Sequence, residues 1–185
     1  MEDDNKLILE RKRKLDRLKE KFNPYPNTFQ KSDKTISLRE KYDNLNKEEL
    51  SKNEVNVSIA GRLLMIREMG NSTFADLHDE SGKIQIYLQN KSLNDESSIV
   101  LSELDLGDIV GIKGVLFKTK TNELTINVSE IILIAKSLRP LPEKFHGIAD
   151  IEIKYRQRYL DLMTSHDTKN LFKKRIEIIS SIRNF

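Results

Sequence analysis

Short segments of alternating apolar and polar residues fill the sequence between Val55 and Ile134, and this pattern constrains the fold more than any other feature. Successive side chains of a strand point to opposite faces, so a period of two predicts strands with one buried face. The five predicted strands carry these apolar sets: Val55, Val57 and Ile59; Thr73, Ala75 and Leu77; Ile84, Ile86 and Leu88; Val110, Ile112, Val115 and Phe117; and Leu124, Ile126 and Val128, continuing through Ile131 to Ile134. Gly61 predicts a bulge or a barrel bend in the first strand.

A segment with weak helical character, Ser92 to Leu104, separates the third predicted strand from the fourth. The order of three strands, one short helix and two strands is typical of the OB-fold, a small five-stranded Greek-key barrel that binds oligonucleotides. We therefore predict a mainly β fold with α-helices, in which residues 55–137 form a five-stranded OB-fold barrel.

A helical extension is predicted on the N-terminal side of the strands, over residues 1–54. Apolar residues at helical spacing between residues 3 and 22 predict a first helix, which a proline-rich segment brings to an end. Ser37 and Glu40 have the spacing of a capping box and predict a second, short helix that begins at Ser37. The polar stretch from Asn46 to Asn53 is predicted to be a loop or a frayed helix end.

A hinge and two further helices are predicted after the last strand. Pro140 and Pro142 restrict the residues that precede them, so residues 138–150 are predicted to form the hinge. The helical stretches follow at Ile151 to Met163 and at Lys169 to Phe185. The second of them reaches the last residue without a glycine or proline stop, which predicts an incomplete chain.

Composition excludes several classes of protein. The sequence has no cysteine, so it cannot form a disulfide framework, and this fits a reducing cytosol. No apolar stretch approaches the roughly 18 residues of a membrane span, and the acidic N-terminus lacks the apolar region of a secretory signal. No glycine-rich phosphate loop and no supported catalytic triad occurs. Neither His78 nor His146 has a second ligand at metal-binding spacing, so we expect no metal site.

Positive charge is concentrated in the first predicted helix. Residues 6–21 hold eight Lys/Arg and three Asp/Glu, a net charge of +5, whereas residues 55–137 hold eight and eleven, a net charge of −3. This asymmetry favours the first helix as the surface that binds phosphate. The candidates for phosphate contact lie on that helix and on a predicted hairpin: Arg13, Arg17, Lys118 and Lys120. An ordinary solvated surface is the alternative for each of them.

Strand parity places four side chains of base-binding type on the outer face of the predicted barrel. Phe74 lies between core positions of the second strand, Gln85 lies between those of the third, and Glu123 directly precedes those of the fifth. Arg62 joins them if Gly61 does not shift the register of the first strand. An exposed aromatic ring can stack an unpaired base, and Gln, Arg and Glu offer the hydrogen bonds that select one base. The alternative is that a neighbouring helix or loop covers Phe74.

Six segments resemble, in order and at similar spacing, the N-terminal part of bacterial class II lysyl-tRNA synthetases. They are 60–62 (Ala-Gly-Arg), 72–74 (Ser-Thr-Phe), 83–87 (Lys-Ile-Gln-Ile-Tyr), 118–124 (Lys-Thr-Lys-Thr-Asn-Glu-Leu), 136–147 (Lys-Ser-Leu-Arg-Pro-Leu-Pro-Glu-Lys-Phe-His-Gly) and 154–162 (Lys-Tyr-Arg-Gln-Arg-Tyr-Leu-Asp-Leu). The resemblance implies that residues 55–137 bind the anticodon and that Phe74 stacks its central uracil. It also implies that Arg62, Gln85 and Glu123 form hydrogen bonds around that base.

The same resemblance implies that the family's catalytic motifs are missing. Residues 151–185 are similar to the start of the catalytic domain, and residues 172–185 to the opening of its first signature motif, without the proline of that motif. The second and third motifs, which bind ATP and the aminoacyl-adenylate, have no counterpart here. We therefore expect the chain to recognise the tRNA(Lys) anticodon, to bind no cofactor and not to activate lysine. The parent protein is expected to be a cytoplasmic, homodimeric lysine–tRNA ligase that uses ATP and Mg²⁺.

Three alternatives stay open from the sequence. A stand-alone OB-fold module for single-stranded nucleic acid would bind with little dependence on the anticodon, although it should carry a more positive barrel than one of net charge −3. A structural or dimerisation domain would not bind RNA. A fragment of an aspartyl- or asparaginyl-tRNA synthetase would share the fold, but residues 138–142 and 145–147 favour the lysine enzyme.

Overall fold

The computed structural model describes residues 2–52, 54–141, 148 and 150–185. In chain order its α-helices and strands are α1 (Glu2–Lys19), α2 (Thr35–Tyr42), α3 (Lys47–Lys52), β1 (Asn56–Met69), β2 (Ser72–His78), β3 (Lys83–Gln89), α4 (Asp95–Ser102), β4 (Ile109–Lys118), β5 (Leu124–Ala135), α5 (Ile151–Arg156), α6 (Arg158–Thr164) and α7 (His166–Asn184). A 3₁₀ helix, Asn90–Ser92, follows β3. No helix among these residues is both long enough and apolar enough to cross a bilayer.

The chain divides into two compact units, Met1–Pro140 and Leu141–Phe185. The predicted hinge over residues 138–150 falls largely outside the described residues, which omit 142–147 and 149. The predicted boundary between a helical extension and a barrel domain lies within the first unit and stays a prediction.

The five strands of the first unit close into a barrel in the order β1-β2-β3-β5-β4. β3 and β5 pair in parallel, whereas the other neighbours are antiparallel. Helix α4 lies between β3 and β4 in the chain and packs against β5. The predicted OB-fold is therefore confirmed, because both the strand order and the position of the helix match it.

Inward-facing aliphatic side chains fill the barrel. The largest fully buried ones include Ile59, Leu63, Leu77, Ile84, Ile86, Leu88, Ile112, Leu124, Ile126, Ile131 and Leu133. In β4 the inward positions are Val110, Ile112 and Leu116, whereas Val115 and Phe117 are only half-buried. Those two residues belong to the predicted strand but have outward parity, because the pairing of β1 with β4 runs without a shift.

Gly61 allows two strands to approach closely but does not form the bulge of β1. A Cβ atom at Gly61 would lie 2.6 Å from the carbonyl oxygen of His78 on β2. The register shift between β1 and β2 lies further along, between Leu63 and Met65. Because the shift follows Arg62, it leaves the outward parity of that residue unchanged.

Helix α2 begins two residues before the predicted capping box, so that part of the prediction is wrong. The N-cap position is Lys34, which makes no side-chain cap. The main-chain N–H groups of Thr35 and Ile36 donate instead to Asp79 Oδ2 and Ser81 Oγ, at 2.8 and 3.1 Å. The turn between β2 and β3 thus supplies the capping groups from a distant part of the sequence.

Residues 47–52 form helix α3, a separate helix, so the loop or frayed helix end predicted there is also wrong. Asn46 Oδ1 accepts a hydrogen bond from the N–H of Glu49 at 2.8 Å, and Glu49 Oε2 accepts from the N–H of Asn46 at 2.9 Å. This is a capping box with asparagine in place of serine. Leu50 is buried and packs the helix against the core.

The second unit contains three helices among its described residues. Gln157 (φ −118°, ψ 56°) interrupts the single helix predicted over residues 151–163 and divides it into α5 and α6. α7 begins at His166, three residues before the predicted start, because the hydroxyl of Ser165 accepts from the N–H of Thr168 at 3.2 Å. Within this unit the Arg158 guanidinium lies 4.8 Å from the ring centre of Tyr155.

Candidate nucleic-acid interface

Phe74 lies on the outer face of the barrel, between Arg67 on β1 and Tyr87 on β3 in the strand register. Its ring centre is 4.8 Å from that of Tyr87, with the two planes tilted by 45°. Tyr87 in turn contacts Phe117 edge to face at 6.1 Å, and its hydroxyl is 3.0 Å from Ser72 Oγ. Phe74 is half-buried. One side of the ring is therefore supported by other side chains while the rest is accessible.

Gln85 lies one row from Phe74 on the same face, between Asp76 on β2 and Thr125 on β5. The hydroxyl of Thr125 donates to Gln85 Oε1 at 3.0 Å, and it is also 3.2 Å from the carbonyl oxygen of Glu123. Thr125 is fully buried. Because the oxygen of the Gln85 amide accepts from Thr125, the NH₂ group of the same amide points away from Thr125 and can donate to a ligand.

Glu123 directly precedes β5, two positions from Thr125 and therefore with the same outward parity. Its N–H donates to Thr119 Oγ1 at 3.1 Å, which closes the turn between β4 and β5. Its Oε1 accepts from Arg39 Nη2 of α2 at 2.8 Å, while the side chain stays 44% exposed. The carboxylate is thus accessible and held by a cation.

Arg62 lies opposite His78 in the pairing of β1 with β2. Along β2, His78 is four residues from Phe74, or roughly 13 Å of strand. Arg62 Nη1 donates to the carbonyl oxygen of Gly107 at 2.7 Å. Arginine has five N–H groups in total, so this contact leaves others for a ligand.

The four residues occupy successive rows of one continuous outer face formed by β1, β2, β3 and β5. Phe74 lies in the first row and Gln85 in the second. The third row contains Arg62 and, from the parallel pairing of β3 with β5, Glu123. The ring, the amide, the guanidinium and the carboxylate therefore all lie on the outer face of the barrel, with Arg62 and Glu123 three strand spacings apart in the same row.

Lys118 does not have the exposure that phosphate contact requires, so that candidate is wrong. Its side chain has inward parity on β4 and the residue is only 2% exposed. Its ammonium donates to the carbonyl oxygen of Asp43 at 2.7 Å, at the C-terminal end of α2. Lys120, in the turn that follows, is exposed.

The basic residues of α1 divide into two groups. One group contacts the segment between α4 and β4. Arg17 forms two hydrogen bonds to Glu103 at 2.6 and 2.7 Å, and Lys14 binds Asp105 at 2.8 Å. The hydrogen bond from Arg17 is the main cause that lowers the pKa of Glu103. Arg13, which lies on another side of the helix, is exposed.

A buried ionic cluster next to α1 was not predicted from the sequence. Lys136, at the end of β5, is fully buried at its ammonium, which lies 2.7 Å from both Asp105 Oδ2 and Asp108 Oδ2. The acidic spacing of Glu103, Asp105 and Asp108 was the available signal. Among residues 2–52, 54–141, 148 and 150–185, no group of three or more His, Cys, Asp or Glu side chains could hold a metal ion.

Comparison with known proteins supports the OB-fold of residues 57–134. The tRNA anticodon family of OB-fold nucleic acid binding domains matches residues 57–134. Lysine–tRNA ligases of Nitrosomonas europaea and Herminiimonas arsenicoxydans are 48% and 50% identical over 184 and 189 residues. The lysine–tRNA ligase of Methylobacillus flagellatus is 45% identical over 183 residues. The alignments cover 99–100% of this chain but only 36–37% of each relative, so the chain spans little more than a third of their length.

Proposed function

We propose that the chain recognises the anticodon of tRNA(Lys). Residues 57–134 match the tRNA anticodon family of OB-fold nucleic acid binding domains, and almost the whole chain aligns with lysine–tRNA ligases at 45–50% identity. The observation that supports the proposal most directly is the outward ring of Phe74, with Gln85 one row away on the same barrel face.

Phe74 stacks the middle base of the anticodon. Its contact with Tyr87 at 4.8 Å supports the ring from within the sheet, so little side-chain freedom remains to be lost when a base binds. An anticodon loop presents unpaired bases, and stacking on an aromatic side chain is a common way for proteins to bind them. Stacking alone does not distinguish the bases, because every base has a π-face.

The polar groups around the ring select uracil. The edge of uracil has one N3–H donor and two carbonyl oxygens, so a protein that selects it needs one acceptor and two donors. Glu123 is the acceptor, while the NH₂ group of Gln85 and the remaining N–H groups of Arg62 are the donors. Cytosine has a lone pair at N3, which the carboxylate of Glu123 would repel.

Phosphate contacts are proposed for cations outside this patch. Arg13 on α1 and Lys120 in the β4–β5 turn are exposed and can approach the RNA backbone. Arg17 uses Nε and Nη2 for Glu103 and offers its remaining N–H groups.

Binding of an RNA hairpin with the anticodon UUU tests the proposal, with a UCU hairpin as the comparison. We expect Phe74→Ala to weaken binding of the UUU hairpin by about 1–3 kcal/mol, the usual contribution of one stacked base. Tyr25→Ala removes an exposed ring of the helical extension and is the matched control, for which we expect unchanged affinity.

Three outcomes would contradict this proposal. Unchanged affinity of Phe74→Ala would remove the ring from the site. Equal binding of both hairpins and of an unstructured oligonucleotide would favour a general module for single-stranded nucleic acid. A complete lack of RNA binding at low salt would favour a structural domain.

For the longer protein that such relatives represent, we propose lysine–tRNA ligase activity in the cytoplasm, as a homodimer that uses ATP and Mg²⁺. Residues 1–54 would then form a helical extension, 55–137 the anticodon-binding domain, 138–150 the hinge and 151–185 the start of the catalytic domain. None of the residues discussed above is assigned to ATP or Mg²⁺. We expect the chain itself not to exchange pyrophosphate into ATP in the presence of lysine, and exchange by the purified chain would refute this expectation.

A further inference from the structure

Arg39 of α2 connects the helical extension to the base-binding face through one guanidinium group. Nη2 donates to Glu123 Oε1 at 2.8 Å, and Nε donates to the carbonyl oxygen of Lys83 on β3 at 2.8 Å. Nη1 donates to Asp43 Oδ2 at 3.2 Å, one turn further along α2. The same guanidinium therefore binds both a main-chain carbonyl oxygen of the barrel and a carboxylate of the proposed base site.

The helix that carries Arg39 is fixed to the barrel at both ends. At its N-terminal end, Asp79 Oδ2 accepts from the N–H of Thr35 at 2.8 Å. At its C-terminal end, the buried ammonium of Lys118 donates to the carbonyl oxygen of Asp43 at 2.7 Å. Leu38, next to Arg39, is buried in the core cluster. Arg39 is thus presented to Glu123 by a helix with little freedom to move.

The contact between Arg39 and Glu123 contributes little to folding. The two side chains are 28% and 44% exposed, and ion pairs with such exposure have small net effects on stability because water and salt screen them. A planar guanidinium does, however, fix the direction of the carboxylates it binds. The geometry of the contact is therefore better explained by orientation than by stability.

We propose that Arg39 is a positioning residue of the base site, which holds Glu123 at Oε1 so that Oε2 accepts from N3–H of a bound uracil. This inference rests on the proposed function. It also deepens that function, because Arg39 lies outside residues 57–134, the segment that matches the OB-fold family. Selection of the base then depends on the N-terminal extension as well as on the barrel. Without Arg39 the carboxylate would rotate freely, and discrimination between uracil and cytosine would decrease.

The test uses the full chain and the ratio of affinities for the UUU and UCU hairpins. Arg39→Met keeps an unbranched stem and a good helix former but removes every donor. We expect this variant to reduce the preference for uracil by about tenfold, the size of one hydrogen bond to a charged group. A general loss of positive charge would weaken both hairpins equally and leave the ratio unchanged.

Two controls separate positioning from other effects. Asp43→Ala removes the contact within α2 but keeps those to Lys83 and Glu123, and we expect it to preserve the ratio. In a protein that already carries Glu123→Gln, Arg39→Met should not lower the affinity ratio further, because Arg39 acts through Glu123. Thermal unfolding followed by circular dichroism checks that each variant is folded, and Arg39→Ala, which also lacks every donor, replaces the methionine variant if the latter does not fold.

The outcomes distinguish this inference from the proposed function. If wild type prefers UUU and Phe74→Ala binds weakly, but the folded Arg39 variant keeps the full ratio, the positioning role is refuted while anticodon binding stands. An additional loss in the Glu123→Gln background would also refute it. If wild type shows no preference between the hairpins, the proposed function and this inference both fail.

Discussion

Asp79, in the turn between β2 and β3, accepts a hydrogen bond from the main-chain N–H of Thr35 at 2.8 Å and thereby caps a helix 44 residues earlier in the sequence. The same carboxylate accepts from the N–H groups of Ser81 and Gly82 at 2.7 and 2.8 Å. One side chain thus orders its own turn and fixes the start of the helix that carries Arg39.

Substitution of Asp79 by alanine should destabilise the first unit by about 1–2 kcal/mol, as the loss of a helix cap does elsewhere. Urea unfolding at neutral pH measures this change. Asp16→Ala is the control, since it removes a largely exposed carboxylate of α1. Equal stability of the Asp79 variant and wild type would show that α2 does not depend on this cap.

The contribution of Asp79 should disappear in acid. Burial is the largest single influence on the pKa of Asp79 and would raise it, but the hydrogen bonds from Thr35, Ser81 and the following glycine together lower it. A depressed pKa in the folded state stabilises the fold above the unfolded pKa of about 3.9 and ceases to do so as the pH falls below it. The difference in unfolding free energy between wild type and Asp79→Asn should therefore be largest above about pH 5 and shrink below about pH 4.

Lys136→Met should be strongly destabilising, by about 3–5 kcal/mol, because it leaves the carboxylates of Asp105 and Asp108 without their buried cation. Chemical denaturation at pH 7 tests this expectation. Lys113→Met removes an exposed partner of Glu130 on the barrel surface and should change stability by less than about 1 kcal/mol. Similar effects of the two substitutions would argue against a structural role for the buried cluster.

Thr125→Val should reduce the preference for uracil without unfolding the barrel, provided that the proposed base site is correct. Valine has nearly the same shape but cannot donate to Gln85 Oε1, so the amide is free to turn its oxygen outward. The affinity ratio of the UUU and UCU hairpins is the measurement. Ser72→Ala is the control, since it removes a hydroxyl that contacts Tyr87. If the affinity ratio of Ser72→Ala were as low as that of Thr125→Val, this explanation would be contradicted.

Arg13→Ala should lower the slope of log affinity against log salt concentration by about one, as expected for one lost phosphate contact. The slope is measured with the UUU hairpin over a range of salt concentrations. Lys113→Ala, which removes one positive charge from the barrel, is the comparison and should leave the slope unchanged. Identical slopes for Arg13→Ala and wild type would exclude α1 from the RNA surface at this position.

Patterns that repeat within a single strand or turn were readable from the sequence. The period of two placed Phe74 and Gln85 on the outer face, because alternation is a local property of an extended chain. The same alternation puts Lys118 inward with Leu116, so the prediction that it lies exposed on a hairpin was wrong. The spacing of Asn46 and Glu49 is likewise a local signal for the capping box of α3.

Contacts between distant segments were decided only by the tertiary structure. Arg39 meets Glu123 across 84 residues, and Arg17 meets Glu103 across 86. Nothing in the local pattern around an arginine specifies which carboxylate the closed barrel brings within reach. The sequence by itself determined the strands, their inward faces and the outward ring of Phe74, since these follow from local geometry and burial. The partners that orient the polar groups around that ring depended on barrel closure and on the helix packed against it, because both arise only when remote segments are brought together.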